Sequence, residues 1–280
     1  MKHQEETFAG VRDAEIYCQN WLPDDEPRAA LVLVHGLAEH CGRYGNLVDH
    51  FVPLGYAVYA HDHIGHGRSG GQRVFVKRFE DLTNVLGMRV DHVRARHPEL
   101  PIFLVGHSVG ALITAVFLLD RQEALDGAVL SGAVVKIPDN ISPVAVLASR
   151  LLSAVMPRVG IVAVEAEGVS RDPAVVREYM EDPLVYKGKT TARMGAEMLK
   201  AMQRTTREAG KITIPLLILH GSEDKLADPD GARMLREAAG STDKVLKIYP
   251  GLHHEIYNEP EHAEVLTDVE TWLAAHLSSW

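Results

Sequence analysis

The sequence has little of what marks a secreted, membrane-spanning or disulfide-rich protein. It contains only two cysteines, Cys18 and Cys41, in 280 residues, which is too few for a disulfide framework. Its first residues are polar and acidic and do not form a secretory signal. The most apolar stretch, 141–164, is interrupted by Arg150, Pro157 and Arg158, so it does not predict a membrane span. These absences predict a cytoplasmic protein.

Positive charge is also scarce. The chain has 29 Lys and Arg residues against 38 Asp and Glu residues, which gives a formal net charge of -9. Because nucleic-acid binding depends on a basic surface that displaces counterions, no nucleic-acid partner is predicted. The same charge disfavours simple electrostatic adsorption to anionic lipid. Apolar residues, by contrast, make up 46% of the chain, enough for the core of one large α/β domain or two smaller ones.

The most informative stretch runs from residue 100 to residue 119. Residues 102–105 form an apolar run rich in strand formers, and Gly106-x-Ser108-x-Gly110 follows it directly. Beyond Gly110, apolar residues recur at helical spacing. A G-x-S-x-G motif between a strand and a helix is the context of a nucleophile elbow, a strained turn that exposes its serine. We therefore predict that Ser108 is a nucleophile.

Strands alternate with helical segments on both sides of this stretch. A hairpin is predicted over 8–21, and continuous apolar runs predict buried strands at 29–34, 56–60, 128–130, 215–219 and 245–249. Helices are predicted between them, including one over 43–54. Uniformly apolar strands that alternate with helices indicate a mostly parallel sheet covered on both faces.

This alternation stops between about residue 137 and residue 210. Helical pieces are predicted there at 143–155, 173–180 and 192–207, and no strand is predicted. We therefore predict three parts: an α/β core over 1–136, a helical cap insertion over 137–210, and the rest of the core over 211–280. An insertion at this place would lie over the carboxyl ends of the strands, where open sheets bind ligands.

Two further strand ends supply partners for Ser108. Asp224 follows the strand at 215–219, and His254 follows the strand at 245–249. The order Ser, Asp, His along the chain is that of an α/β-hydrolase. His254 would accept the serine proton, and Asp224 would orient the imidazole. The neighbouring residues His253 and Asp228 stay open as alternatives, because chain order does not separate residues this close together.

A pair of backbone amides is expected to stabilise the oxyanion. The N–H of Val109, directly after the nucleophile, is one predicted donor. The N–H of Leu37, in the loop after the strand at 29–34, is the other. Loss of one such donor costs on the order of a hundredfold or more in rate.

Neither a metal nor a cofactor is predicted. Three histidines follow the strand at 56–60: His61, His63 and His66. No matching ligands stand further along the chain at a metal-binding spacing, so a structured loop is the favoured interpretation. Cys41 is predicted to be an inert free thiol.

On these residues, the chain resembles the monoacylglycerol lipase family of the α/β-hydrolase superfamily over nearly its whole length. The motifs that carry the resemblance are HGLAEH at 35–40 with GRY at 42–44, DHIGHGRS at 62–69, GHSVG at 106–110, SRDP at 170–173, DPL at 182–184, HGSED at 220–224 and YPGLHHE at 249–255. The elbow is shared across the superfamily. The Gly-x-x-Glu-His-x-x-Arg-Tyr stretch and the last motif are more specific.

The resemblance implies an α/β-hydrolase fold with a mostly parallel central sheet, flanking helices and a helical cap. It implies a triad of Ser108, Asp224 and His254, which favours His254 over His253, and it implies the Leu37 and Val109 amides as the oxyanion hole.

The resemblance also implies a reaction, the cleavage of monoacylglycerols to a fatty acid and glycerol through an acyl-enzyme. Glu39, Arg43 and Tyr179 are then expected to receive the glycerol end, and the apolar cap is expected to touch a membrane or micelle surface. Two alternatives stay open. One is a general carboxylesterase or lysophospholipase with the same triad, and the other is a non-catalytic ligand-binding protein of this fold.

Overall fold

The central feature of the computed structural model, which describes residues 1–137 and 142–277, is a sheet of eight strands. With all strands numbered in chain order, the members of this sheet are β1 (Lys2–Ala9), β2 (Glu15–Leu22), β3 (Ala29–Val34), β4 (Tyr56–His61), β5 (Ile102–His107), β6 (Gly127–Ser131), β9 (Leu216–Gly221) and β10 (Lys244–Tyr249). Their order across the sheet is β1-β2-β4-β3-β5-β6-β9-β10. The hairpin of β1 and β2 is antiparallel and forms one edge. The other six strands of this sheet, β4, β3, β5, β6, β9 and β10, run parallel to one another. The predicted fold class is confirmed.

Every residue of the central strands β3, β4, β5, β6 and β9 is buried. Their sequences are continuous apolar runs because both faces of a parallel sheet are covered by helices. Helices α2 (Glu80–Arg96) and α3 (Val109–Arg121) pack against one face, and α1 (Gly45–Phe51) and α8 (His262–Leu277) pack against the other. The predicted helix at 43–54 is too long, because a 3-10 turn at Cys41–Arg43 precedes α1, which ends at Phe51.

Between β6 and β9 the chain leaves the sheet. It forms α4 (Pro143–Val155), α5 (Pro173–Glu181) and α6 (Ala192–Glu208). Ser142, Asp172 and Thr191 cap these helices, each by accepting a hydrogen bond from a backbone N–H in the first turn. Residues 138–141 of the predicted cap lie outside the described part of the chain. The division into core and cap stays a prediction.

The prediction of no strand in this region is wrong. Strands β7 (Gly160–Val162) and β8 (Thr190–Thr191) form a small antiparallel pair. Such short strands leave no alternation in the sequence, and the pairing joins segments about 30 residues apart. Helix α6 also contributes Met194, Ala201 and Met202 to the main core beneath it.

The carboxyl ends of β5, β6, β9 and β10 meet at one edge of the sheet. His107 at the end of β5 pairs with Ser131 at the end of β6, and Tyr249 of β10 pairs with Gly221 of β9. The loops that follow these strands therefore carry their side chains to a common place. Helix α7 (Pro229–Ala238) follows β9 and begins at the capping residue Asp228. Within residues 1–137 and 142–277, no helix has both the length and the apolarity needed to cross a bilayer.

Candidate active site

Ser108 lies at a sharp turn between β5 and α3. Its backbone has φ 55° and ψ -121°, a conformation that costs free energy for any residue with a Cβ. The flanking glycines are required by close packing. A Cβ on Gly110 would lie 1.9 Å from the carbonyl oxygen of Val34, and one on Gly106 would lie 2.6 Å from Oγ1 of Thr114. The turn therefore holds the serine hydroxyl at the carboxyl end of the sheet.

A chain of hydrogen bonds joins Ser108 to a histidine and an aspartate. Nε2 of His254 lies 2.8 Å from Oγ of Ser108, and its Nδ1 lies 2.7 Å from Oδ2 of Asp224. The Asp224 side chain has no exposed surface, and His254 is buried as well. The spacing matches a nucleophile, a base and an orienting carboxylate in direct contact.

Asp224 has hydrogen-bond partners other than His254. Its Oδ1 accepts hydrogen bonds from the N–H groups of Leu226 and Ala227, at 2.8 and 2.9 Å. Its Oδ2 lies 2.9 Å from Nε2 of the buried His220. Burial alone raises the pKa of Asp224, but His254 and His220 outweigh it, so the pKa lies well below its usual value. The carboxylate is therefore ionised and fixed.

The contact between Asp224 and His254 also shifts the pKa of His254. Burial lowers the pKa of His254, but the neighbouring Asp224 carboxylate raises it more, so the pKa lies above its usual value. The two alternative residues lie elsewhere. Asp228 caps α7 and forms an ion pair with Lys136 at 2.7 Å. Within the described residues, His253 has no hydrogen bond to either Ser108 or Asp224.

The two predicted oxyanion donors border the same cavity as Ser108. Within the described part of the chain, the amide N–H groups of Leu37 and Val109 have no acceptor. The loop that carries Leu37 is fixed by Ala38, whose φ is 65° and whose carbonyl accepts a hydrogen bond from the N–H of Tyr186 at 2.8 Å. A residue of the segment between β6 and β9 thus fixes the oxyanion loop.

The cavity over Ser108 has a volume of about 140 Å³. One wall is apolar and is formed by Val134, Val164, Val169, Met198 and Leu226. Such a wall can take the acyl chain of a substrate, since it offers apolar contact and no unpaired hydrogen-bonding group.

The polar wall of this cavity includes Glu39, Tyr179 and Glu255, which surround Arg43 of an adjoining cavity. The Arg43 guanidinium lies between two carboxylates, with Nη2 at 2.6 Å from Glu255 and Nε at 3.6 Å from Glu39. The ring of Tyr179 covers the guanidinium at 4.7 Å. Burial raises the pKa of Glu39, Arg43 lowers it, and the nearby Glu255 raises it further, so the pKa of Glu39 lies above its usual value. The predicted residues Glu39, Arg43 and Tyr179 are thus brought together beside Ser108.

Two functional candidates were missed in the sequence. His220 stands four residues before Asp224 at the end of the same strand, and Glu255 directly follows His254. Position at a strand end was the available signal for both. The hydrogen bonds that give them a role cross between loops, so no periodicity reveals them.

His63 and His66, after β4, form a buried cluster with His35, which follows β3. The rings of His35 and His63 lie 3.9 Å apart, and His66 lies 5.8 Å from His63. Nε2 of His63 bonds to the carbonyl of His35, and burial lowers the pKa of His63 well below its usual value. Among residues 1–137 and 142–277, no group of three or more His, Cys, Asp or Glu side chains is arranged to hold a metal. The bonds between His63 and His35 in this cluster hold the start of the loop that leads to Leu37.

A nucleophile elbow, a hydrogen-bonded Ser–His–Asp chain and a mostly parallel sheet together define an α/β-hydrolase of the serine hydrolase class. A family model described as "Serine aminopeptidase, S33" matches residues 25–261. The chain is 40% identical to a monoacylglycerol lipase of Mycolicibacterium smegmatis over 98% of both chains. It is 36% identical to the human monoglyceride lipase, over 92% of this chain and 86% of that one. The chain belongs to this serine hydrolase family and, within it, to the monoacylglycerol lipases.

A solved structure agrees with this assignment. The crystal structure of Paleococcus ferrophilus monoacylglycerol lipase superposes with a TM-score of 0.84 at 30% identity, over 93% of this chain and 99% of that one.

Proposed function

We propose that this protein hydrolyses the ester bond of monoacylglycerols to a fatty acid and glycerol. One observation carries the proposal: the Ser108–His254–Asp224 hydrogen-bond chain opens into a cavity whose lining combines apolar side chains with the carboxylates Glu39 and Glu255. A monoacylglycerol matches this combination, because its acyl chain is apolar and its glycerol end carries two free hydroxyls. The names of the relatives support the same substrate.

The proposed reaction has two halves. Ser108 Oγ attacks the ester carbonyl while His254 Nε2 accepts the serine proton, and the Leu37 and Val109 amides bond to the oxyanion. His254 then gives that proton to the departing glycerol oxygen, which leaves an acyl-enzyme. Water attacks the acyl-enzyme, His254 accepts a proton from it, and the fatty acid leaves as the hydroxyl of Ser108 is restored.

The polar wall is proposed to select the glycerol end. Glu39 is 5% exposed, and its Oε1 already accepts bonds from the N–H of Gly36 at 2.6 Å and from the hydroxyl of Tyr44 at 2.8 Å. These bonds fix the carboxylate, so glycerol hydroxyls meet groups that need no rearrangement. A substrate without those hydroxyls gains no hydrogen bonds from these fixed groups, which is a basis for discrimination against it.

Contact with a lipid surface is a further part of the proposal. Helix α4 exposes Val144, Leu147, Leu151 and Val155, which are 75%, 57%, 63% and 80% exposed. Their spacing places them on one face of the helix. Since the acyl chain must leave a membrane or micelle to reach Ser108, an apolar face on the segment above the site supports peripheral contact. The two buried free cysteines, Cys18 and Cys41, are consistent with the predicted reducing compartment.

A substrate panel with a matched blank tests the function. Monoolein, triolein, lysophosphatidylcholine, a short p-nitrophenyl ester and alanine p-nitroanilide are compared, with Ser108→Ala as the blank. We expect preferred hydrolysis of monoolein and loss of activity by a factor of at least about a thousand in the blank.

A second variant separates the substrate from the chemistry. Glu39→Gln removes a charge from the polar wall and leaves the triad in place. We expect it to reduce kcat/KM for monoolein about tenfold or more and to leave the short ester nearly unchanged. High activity on the short ester alone would make the protein a general carboxylesterase. Hydrolysis of the anilide would make it a peptidase.

A further inference from the structure

An open groove of about 780 Å³ lies beside the segment between β6 and β9, away from Ser108. Its lining consists of Phe75, Lys77, Met156, Pro157, Arg158, Val159 and Arg193. Three chain segments meet there: the loop before α2, the turn after α4, and the first turn of α6. None of these residues belongs to the hydrolytic site described above.

The groove is lined by three cations and by no acidic residue. Lys77 and Arg158 are exposed, and within the described part of the chain neither lies within 4.0 Å of a carboxylate. Arg158 lies over the ring of Phe75 at 6.0 Å. Arg193 donates to the carbonyl of Ser153 at 3.0 Å, which holds its guanidinium at the groove. Within the described residues, Lys77 and Arg158 thus face solvent without a carboxylate partner.

What distinguishes the groove is that its cations share one concave surface with no carboxylate. Some exposed arginines elsewhere are paired, as Arg204 is with Asp120 at 2.5 Å and Arg121 is with Asp91 at 2.7 Å. Three cations that line one open groove without an acidic residue give it a positive potential, which favours an anion from outside the chain.

The sequence around the groove repeats this bias. Segments 71–79, 142–162 and 183–195 contain no Asp or Glu. They carry eight cations: Arg73, Lys77, Arg78, Arg150, Arg158, Lys187, Lys189 and Arg193. The overall negative charge, which argues against adsorption to anionic lipid, does not extend to this face.

The groove is also continuous with an apolar surface. Met156, which is 54% exposed, lines the groove and directly follows the exposed face of α4 formed by Val144, Leu147, Leu151 and Val155. Ile161 and Val162, on the other side of Arg158, are 40% and 60% exposed. An apolar helix face with cations at its end is the arrangement of an interfacial helix on a negatively charged membrane.

We propose that this groove binds the phosphate of an anionic phospholipid in a membrane surface. Lys77 and Arg158 bond to the phosphate, and the α4 face enters the acyl region beside it. The groove is open rather than enclosed, so it suits a headgroup whose chains stay in the bilayer rather than a fully enclosed single fatty acid. The proposal rests on the proposed function and deepens it, because it adds headgroup charge to the surface contact.

Vesicle binding tests the proposal directly. Cosedimentation is measured with vesicles of phosphatidylcholine alone and of phosphatidylcholine mixed with phosphatidylglycerol. We expect the wild type to partition at least about tenfold more strongly to the anionic vesicles, and we expect this preference to fall as salt is added. The double variant Lys77→Gln/Arg158→Gln is expected to lose the preference, by about fivefold for each charge removed.

A charge-matched variant supplies the control. Lys2→Gln/Arg236→Gln removes the same charge from two exposed residues outside the groove and is expected to bind as the wild type does. Equal binding of the wild type to both vesicle types would overturn the proposal. So would a groove variant that keeps the preference, or displacement of the protein from anionic vesicles by submicellar octanoate, which would assign the groove to free carboxylates.

The result is separable from the proposed function. Hydrolysis of detergent-dispersed monoolein needs the triad and not the groove, so the groove variant is expected to retain it. Failure of the wild type on that substrate would count against the proposed function. Loss of selective vesicle binding with that hydrolysis intact would count against the groove alone.

Discussion

The two halves of the segment between β6 and β9 are attached to the molecule in different ways. The anchored half, residues 166–191, bonds directly to the loops of the catalytic core. His40 lies 2.8 Å from Asp182, and the N–H of Tyr186 donates to Ala38. The exposed half, residues 142–162, makes its polar contacts mainly with α6, including Arg150 to Gln203 at 2.8 Å.

The difference indicates a division of labour. The anchored half supplies Tyr179, which covers Arg43, and bonds to the loop that carries Leu37, so its position fixes both. The exposed half leaves four apolar side chains of α4 in solvent, which is typical of a surface that another molecule covers. The anchored half thus fixes the loops beside Ser108, and the exposed half carries the apolar face for which lipid contact is proposed.

The largest expected effect comes from removing the buried side chain that holds the anchored half, residues 166–191, to the core. Glu259 is fully buried, and it accepts hydrogen bonds from both the backbone N–H and Nε of Arg171, each at 2.9 Å. Glu259→Ala leaves two donors without their acceptor, which costs about 2 to 4 kcal/mol. We expect the melting temperature to fall by about 5 to 10 °C, as measured by calorimetry.

The control for this prediction is the neighbouring residue. Glu261 also pairs with Arg171, but its side chain is 44% exposed. Glu261→Ala is expected to lower the melting temperature far less than Glu259→Ala does, because exposed ion pairs contribute little. Equal shifts for Glu259→Ala and Glu261→Ala would show that the buried anchor is not what holds this half.

A smaller and different effect is expected in the exposed half. Leu147→Ser combined with Leu151→Ser removes two exposed apolar side chains of α4, each worth about 1.5 kcal/mol when buried in lipid. We expect KM for monoolein in vesicles to rise at least about tenfold, with the melting temperature and the hydrolysis of a short soluble ester unchanged.

Met180 provides the comparison in the anchored half. It is also apolar and 49% exposed, so Met180→Ser changes a similar surface at a different place. This variant is expected to leave the KM for vesicles nearly unchanged. A comparable rise for Met180→Ser would mean that the two halves share the lipid contact.

The smallest expected effect concerns the pH dependence of the anchor. Burial raises the pKa of Asp182, but hydrogen bonds from His40 and from the N–H of Leu184 outweigh it, so its pKa lies below the usual value near 4. A lowered pKa stabilises the fold above about pH 4, and this stabilisation is lost as the pH falls further. Because Asp182 is partly exposed, the contribution is expected to stay below about 1 kcal/mol.

Melting temperatures of the wild type and of Asp182→Asn, measured from pH 7 down to about pH 3, test this. The wild type is expected to be the more stable by no more than about 3 °C at neutral pH, with the gap closing under acid. A gap that stays constant with pH would assign the effect to packing rather than to charge.

Most of the fold was predictable because each central strand is buried on both faces. The strand Ala29–Val34 and the helix Pro143–Val155 were predicted at their observed bounds. In the helix, Pro143 follows the capping residue Ser142, so these two adjacent residues determine where the helix begins. The pairing of β7 with β8 was not predictable, because it depends on how two distant turns meet.

The site shows the same limit. Chain order and strand ends placed Ser108, Asp224 and His254 near one another, but adjacent residues at one strand end differ only in the direction of their side chains. Chain order therefore left His253 and His254 open, the family resemblance favoured His254, and in the structure it is His254 that contacts Ser108 and Asp224. The contact between His220 and Asp224 also depends on the conformation of the loop between them, which the sequence alone does not predict.

The strands that flank the insertion have a consequence for how such enzymes diversify. The chain leaves the sheet after β6 and returns at β9, and these two strands are direct neighbours, with Ala128 paired to Leu216 and Ser131 paired to Leu219. The ends of the insertion are thus closed by the sheet itself, whatever lies between them. Mutations in the exposed part of the insertion, residues 142–162, can therefore accumulate across generations without displacing the neighbouring strand ends from which the Ser108, Asp224 and His254 loops arise.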